Sequence, residues 1–117
     1  DLIARTLPLL SADDVLALRA ACARIHASPA LVTYVQHLLA ESRRHPGVRV
    51  GLSPRAGLAL LRAARAHALL DGRDHVLPED IQHLFAQVAA HRLVPESDAD
   101  SRDALAASIL RSVPVDA

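Results

Sequence analysis

Apolar residues return at helical spacing in successive stretches separated by Ser, Pro and Gly. From Ser11, the positions Val15, Leu18, Cys22 and Ile25 form one stripe, with Arg19 and Arg24 off it. Ser11 and Asp14 have the spacing of a capping box, and Leu10 with Val15 that of a hydrophobic staple. Ser28-Pro29 begins a second helix, because Ser caps well and Pro suits the first helical position. Its inner stripe is Leu31, Val35 and Leu38, widened by Val32 and Leu39, and it ends at Arg43-Arg44-His45 before Pro46-Gly47. Ser53-Pro54 begins a third helix, which runs to Leu70 or Asp71 with Gly72 as its stop. Leu58, Leu61, Ala64 and Ala68 make one face and Leu60, Ala63 and Leu70 a second, so this helix should touch more than one neighbour. Pro78 opens a fourth, with Glu79 and Asp80 favourably placed at its positive end and Ile81, Leu84, Phe85 and Val88 facing inward. Leu105, Ile109 and Val113 mark a fifth, ended by Pro114.

These patterns predict an all-α fold, a small bundle of four to five helices. Val48-Arg49-Val50 alternates, and a very short two-stranded pairing of residues 48–50 with 92–94 is expected. Residues 1–10 read as an extended lead-in and 96–101 as a polar linker, so residues 1–117 form one domain.

Composition agrees. Hydrophobic residues are 51% of the chain but aromatics only 2%, so the core is built from Leu, Ala and Val. Thirteen basic and thirteen acidic residues leave a formal net charge of zero, which removes any global field drawing the chain to nucleic acid or an anionic membrane. The arginines that could touch nucleic acid (Arg43, Arg44, Arg49, Arg62, Arg65) lack aromatic stacking partners, so neither nucleic acid nor membrane is expected as a partner. Cys22 is the single cysteine, which suits a reducing, cytoplasmic setting; no signal peptide or membrane-length apolar run is seen. The chain does not begin with Met, and it is expected to be part of something longer.

Catalytic motifs are absent. There is no GxxxxGK[ST], no GxGxxG, and no strand followed by paired acids to hold magnesium. His67, His75, His83 and His91 recur every eighth residue, about 12 Å along a helix, which is too far for a shared ion; no metal site is expected. The one candidate is the start of the third helix. Ser53 caps it, Pro54 follows, and Arg55 lies in the first turn, where a cation opposes the helix dipole. Free backbone N–H groups beside a guanidinium suit an anion, although an Arg simply extended into water is the competing reading.

The stretch His45-Pro46-Gly47-Val48-Arg49-Val50-Gly51-Leu52-Ser53-Pro54-Arg55-Ala56 resembles the HPxVxxGaSPRA run of the MoxR family of AAA+ ATPases. Leu60-Leu61-Arg62-Ala63-Ala64-Arg65-Ala66 continues it. Gly72 to Ile81 resembles the family's GRdyVtPeDv, Ala90-His91-Arg92-Leu93 its HR signature, and Leu31 to Arg44 the helix ending in TRxHP. The resemblance runs from about residue 11 to 114 in order. It implies the C-terminal helical lid of an AAA+ module. Arg55 then falls at the sensor-2 arginine, with Ser53 and Pro54 on the nucleotide side. It implies ATP and Mg as cofactors of the longer parent, with none bound by this stretch alone, and ATP hydrolysis by the parent but not by this stretch. Implied partners are the parent's own core domain, neighbouring subunits of a ring, and proteins bearing von Willebrand factor A domains.

Four positions depart from the family pattern: Ser42 for Thr, Gly57 for a better helix former, His75 for Tyr, and Leu77 for a Thr cap. Gly57 should lower helix propensity by up to about 1 kcal/mol, and Leu77 should leave the fourth helix less firmly started. Arg92 reads first as a cation meeting the last carbonyls of the fourth helix, and second as a lid-edge contact. The rival to a lid is a freestanding helical interaction module with no nucleotide.

Overall fold

The computed structural model describes residues 9–115, so the expected lead-in lies outside the described residues for positions 1–8. Five helices and two very short strands follow: α1 (Ala12–Arg24), α2 (Pro29–Arg44), β1 (Val48–Val50), α3 (Pro54–Leu70), α4 (Pro78–Ala89), a 3-10 turn (Ala90–Arg92), β2 (Val94–Pro95) and α5 (Arg102–Ser112). The expected caps form. Ser11 and Asp14 exchange both capping-box hydrogen bonds, and Ser28, Ser53 and Ser101 each accept from a backbone N–H of the first turn.

The core lies among α2, α3, α4 and α5. Leu38, Ile81, Phe85, Leu93 and Ile109 are fully buried at its centre. α3 presents small residues to it, Ala56, Gly57, Ala64 and Ala68 beside Leu60. Gly57 has a packing reason: a Cβ there would stand 2.8 Å from Leu39 Cδ1, so glycine lets α3 approach α2 closely.

Antiparallel pairing of β1 with β2 matches Val48 to Pro95 and Val50 to Val94, with an irregularity between them. The partner segment is therefore Val94–Pro95 rather than residues 92–94. Arg92 belongs to the 3-10 turn, and the Leu93 N–H closes that turn on the Ala90 carbonyl at 3.1 Å. Leu93 is spent as a fully buried core residue, so pairing begins one residue later. The turn before β1 is held by His45, whose Nδ1 accepts from the Gly47 N–H (3.0 Å), which leaves Nε2 to donate to Ser108 on α5 (2.8 Å).

Three apolar expectations fail, those for the α1 stripe, Leu58 and Leu70. No residue of α1 is buried; of its stripe only Ile25, the C-cap, enters the core. Leu58 and Leu70 were assigned to packed faces but are exposed, at 57% and 85%. They sit six residues either side of Ala64, hence roughly 120° around the helix from it in opposite directions, beyond the arc that α2 and α4 cover.

Candidate functional site

The start of α3 is held by the end of α2. Gly51 crosses the last turn of α2 so closely that a Cβ would stand 2.8 Å from both the backbone N and the Cα of Arg43. Only glycine allows that crossing without moving backbone. The next residue, Leu52, is buried, and both its backbone groups are satisfied by α2. Its N–H donates to Ser42 Oγ (2.9 Å), and its carbonyl accepts from the Arg43 guanidinium (3.1 Å). Ser42 Oγ donates in turn to the Leu39 carbonyl at 2.6 Å. Ser42 is fully buried, so its hydroxyl has no competing water and acts as a fixed link.

That link delivers Ser53-Pro54-Arg55 in a set orientation. Ser53 Oγ accepts from the Ala56 N–H at 3.4 Å, a long cap bond, and Pro54 occupies the first turn with no donor of its own. Arg55 is exposed, and among the described residues it makes no side-chain hydrogen bond or ion pair. α1, α4 and α5 each carry acids in the first turn; α2 and α3 carry none, and α3 alone of those two adds an arginine there. Its positive end thus faces outward with a guanidinium added and no counter-charge from the helix itself, an arrangement that favours an anion.

Sequence reasoning placed Arg55 but missed what orients it. A signal was present: Ser42 continues the spacing of Leu31, Val35 and Leu38, so a polar residue stands where the buried stripe predicts an apolar one.

A second polar centre fixes the start of α4. Asp80 is only 2% exposed and accepts from Arg73 Nη1 (2.8 Å), Arg73 Nη2 (2.6 Å), the Leu77 N–H (2.8 Å) and His67 Nδ1 (2.7 Å). Burial pushes its carboxyl up, but the hydrogen bonds from Arg73, Leu77 and His67 outweigh that and hold it well below the usual carboxylate range. The same pairing pushes the Arg73 guanidinium further up. The loosely started fourth helix expected from Leu77 is therefore corrected. Leu77 has no side-chain acceptor, yet Asp80 reaches back to its N–H and ties it to α3 through His67 and to the preceding loop through Arg73.

His67 and His83, on α3 and α4, come together with ring centroids 5.1 Å apart, while His75 pairs with its neighbour Asp74. Among the described residues no three His, Cys, Asp or Glu side chains are grouped to hold a metal ion, and no helix is long and apolar enough to cross a membrane. Arg92 is exposed at the end of the 3-10 turn that follows α4 and, among the described residues, donates to none of the last carbonyls of α4.

A family model described as AAA lid domain matches residues 40–112. Protein YeaC of Bacillus subtilis is 33% identical over 106 residues, covering 91% of this chain and 33% of its own. The chaperone MoxR1 of Mycobacterium tuberculosis is 37% identical over 100 residues, covering 78% of this chain and 26% of its own. Protein MoxR of Paracoccus denitrificans is 44% identical over 82 residues, covering 58% and 24%. The chain thus spans roughly a quarter to a third of the length of these curated relatives. A crystal structure of a candidate ATPase from Cytophaga hutchinsonii superposes with a TM-score of 0.84 at 29% identity, covering 90% of this chain and 36% of that one. The match from the last turn of α2 through α5, together with the MoxR relatives, shows that this chain belongs to the AAA lid domain family and is the lid of a MoxR-type AAA+ ATPase.

Proposed function

We propose that this lid closes over ATP held by the core domain of a longer parent chain, with Arg55 as its sensor-2 arginine. The observation that carries the reading is an exposed guanidinium, without a partner among the described residues, in the first turn of a capped helix that has no acid of its own. Ser53 and Pro54 set the chain path on the nucleotide side, and the Ser42–Leu52 link holds Arg55 at a constant position relative to α2. A guanidinium so placed meets phosphate charge as it develops, with little reorganisation.

The residues present fit phosphate but supply no phosphate loop and no acidic pair for magnesium, so ATP and Mg belong to the parent and the stretch alone hydrolyses nothing. Rotation of the lid against the core would carry the nucleotide state to neighbouring subunits of a ring. Chaperone-like remodelling follows from the relative named chaperone MoxR1, and clients bearing von Willebrand factor A domains follow from the family resemblance. The setting is cytoplasmic. The test is Arg55→Ala in the full-length parent, with ATP turnover and nucleotide affinity measured together. A drop of about tenfold or more in turnover is expected; unchanged turnover sinks the sensor role.

A further inference from the structure

Two histidines too far apart in sequence to share an ion within one helix meet across the α3–α4 contact. His67 lies in the last turn of α3 and His83 in the middle of α4, and their ring centroids stand 5.1 Å apart with the planes tilted by 38°. The first ring is fixed. Asp80 is buried, and its carboxylate accepts from His67 Nδ1 at 2.7 Å while taking two hydrogen bonds from Arg73. A carboxylate acceptor at Nδ1 places the ring proton there, which leaves the Nε2 lone pair of His67 free. Histidine ligands of metals are oriented in this way, with a carboxylate behind one ring nitrogen and the lone pair of the other facing the ion. The His67 side chain is 38% exposed. His83 is exposed and has no hydrogen-bond partner among the described residues, so both rings are open to solvent. The spacing fits chelation. An imidazole nitrogen binds Zn²⁺ at about 2.0–2.1 Å with the ring centre roughly 1.2 Å further on, so two rings on one tetrahedral ion have centres about 5.2 Å apart. Plain aromatic contact gives similar distances, and a shared ion is what separates the two arrangements.

We propose that His67 and His83 form a two-imidazole site for a divalent transition metal ion such as Zn²⁺, with Asp80 orienting His67, and that the bound ion clips the last turn of α3 to α4. Paired imidazoles select Zn²⁺, Ni²⁺ or Cu²⁺ over the oxygen-preferring Mg²⁺ that accompanies ATP. Among the described residues no third His, Cys, Asp or Glu joins the pair, so water fills the remaining positions of the ion. The site is open, and its affinity is moderate because only two protein ligands hold the metal. His67 lies twelve residues along α3 from Arg55, about 18 Å, so the clip is distinct from the nucleotide reading and independent of it.

The test uses the full-length parent, prepared with isotope-labelled histidine and titrated with zinc chloride at neutral pH without nucleotide. Ring signals followed by NMR are assigned through the His67→Gln and His83→Gln variants. His67 Nε2 and one ring nitrogen of His83 should shift together at the same zinc concentration, while the His67 Nδ1–H signal persists. Movement of one ring alone, or of neither at millimolar zinc, overturns the proposal. Thermal unfolding gives a second readout, because an ion bound only by the folded state raises Tm. The zinc-induced rise should shrink in each single variant, and the double variant should lose no more than either one, since either change empties the same site. Additive losses, or an undiminished rise in His83→Gln, overturn it. Asp80→Asn keeps both ligands and should weaken zinc binding about 10–100-fold; unchanged affinity there overturns the orienting role of Asp80. Failure of the nucleotide reading is separable: Arg55→Ala then leaves ATP turnover unchanged while the zinc response of the two rings persists.

Discussion

Replacing Asp80 by Ala tests how the start of α4 is held. The substitution removes the acceptor of four hydrogen bonds at a residue only 2% exposed; Arg73 Nη2, His67 Nδ1 and the Leu77 N–H lose it, while Arg73 keeps its bonds to Asp71 and the His75 carbonyl. Breaking one side of a buried ion pair costs about 3–5 kcal/mol. Arg73 is 20% exposed and can turn partly to water, which brings the expectation for Asp80→Ala down to about 2–4 kcal/mol. That is a large share of the 5–15 kcal/mol typical of whole domains. Urea unfolding followed by circular dichroism measures it, with Asp80→Asn as the conservative comparison expected to lose less.

The pH dependence supplies a second reading of the same contact. The folded pKa of Asp80 lies below its ordinary value of 3.8, so its stabilisation is fully present above that value and is lost as pH falls through and below it. Wild type should therefore weaken steeply below about pH 4, and Asp80→Ala should weaken less steeply. Some slope will persist in the variant, because Asp14 and Asp74 are also held below their ordinary value by hydrogen bonds from Ser11 and from His75. A loss under about 1 kcal/mol for Asp80→Ala at pH 7, or an unchanged acid slope, would refute the claim that Asp80 anchors α4.

Ser42→Ala leaves the buried Leu52 N–H without an acceptor and should cost about 1–3 kcal/mol in the same unfolding assay; in the parent it should also lower ATP turnover by loosening Arg55. Gly51→Ala forces a Cβ against the Arg43 backbone and should cost about 1–3 kcal/mol, with chemical-shift changes concentrated at the start of α3. Phe85→Ala, at a fully buried site, should cost about 3–5 kcal/mol, whereas Leu18→Ala on the uncovered stripe of α1 should cost under about 1 kcal/mol in this chain alone. Comparable losses at Phe85 and Leu18 would show that α1 is packed after all.

Much of the fold is legible in the chain because its signals are local. Ser11, Ser28 and Ser53 cap helices where the spacing says they should, since a hydroxyl accepting from an N–H three residues on needs no distant partner. The stripes of α2, α4 and α5 name most of the large apolar residues that those helices bury, by periodicity alone. The stripe of α1 misleads for the same reason: periodicity states that a face wants cover, not whether this stretch of chain supplies it. Leu58 and Leu70 mislead because α3 offers apolar residues around most of its circumference, and only its neighbours decide which arc is covered.

At the candidate site the same division holds. The sequence by itself determined that Arg55 stands in the first turn of a helix begun by Ser53 and Pro54, because capping chemistry and the fixed φ of proline act within a few residues. Only the tertiary structure decided where that turn points. Ser42 and Arg43 lie about ten residues from Leu52 along the chain and reach it through hydrogen bonds that exist only once α2 and α3 have packed. Asp80 likewise becomes an anchor only when Arg73 and His67 converge on it. Local spacing can name a charge and its helix, but the partners that hold it come from contacts that chain order does not encode.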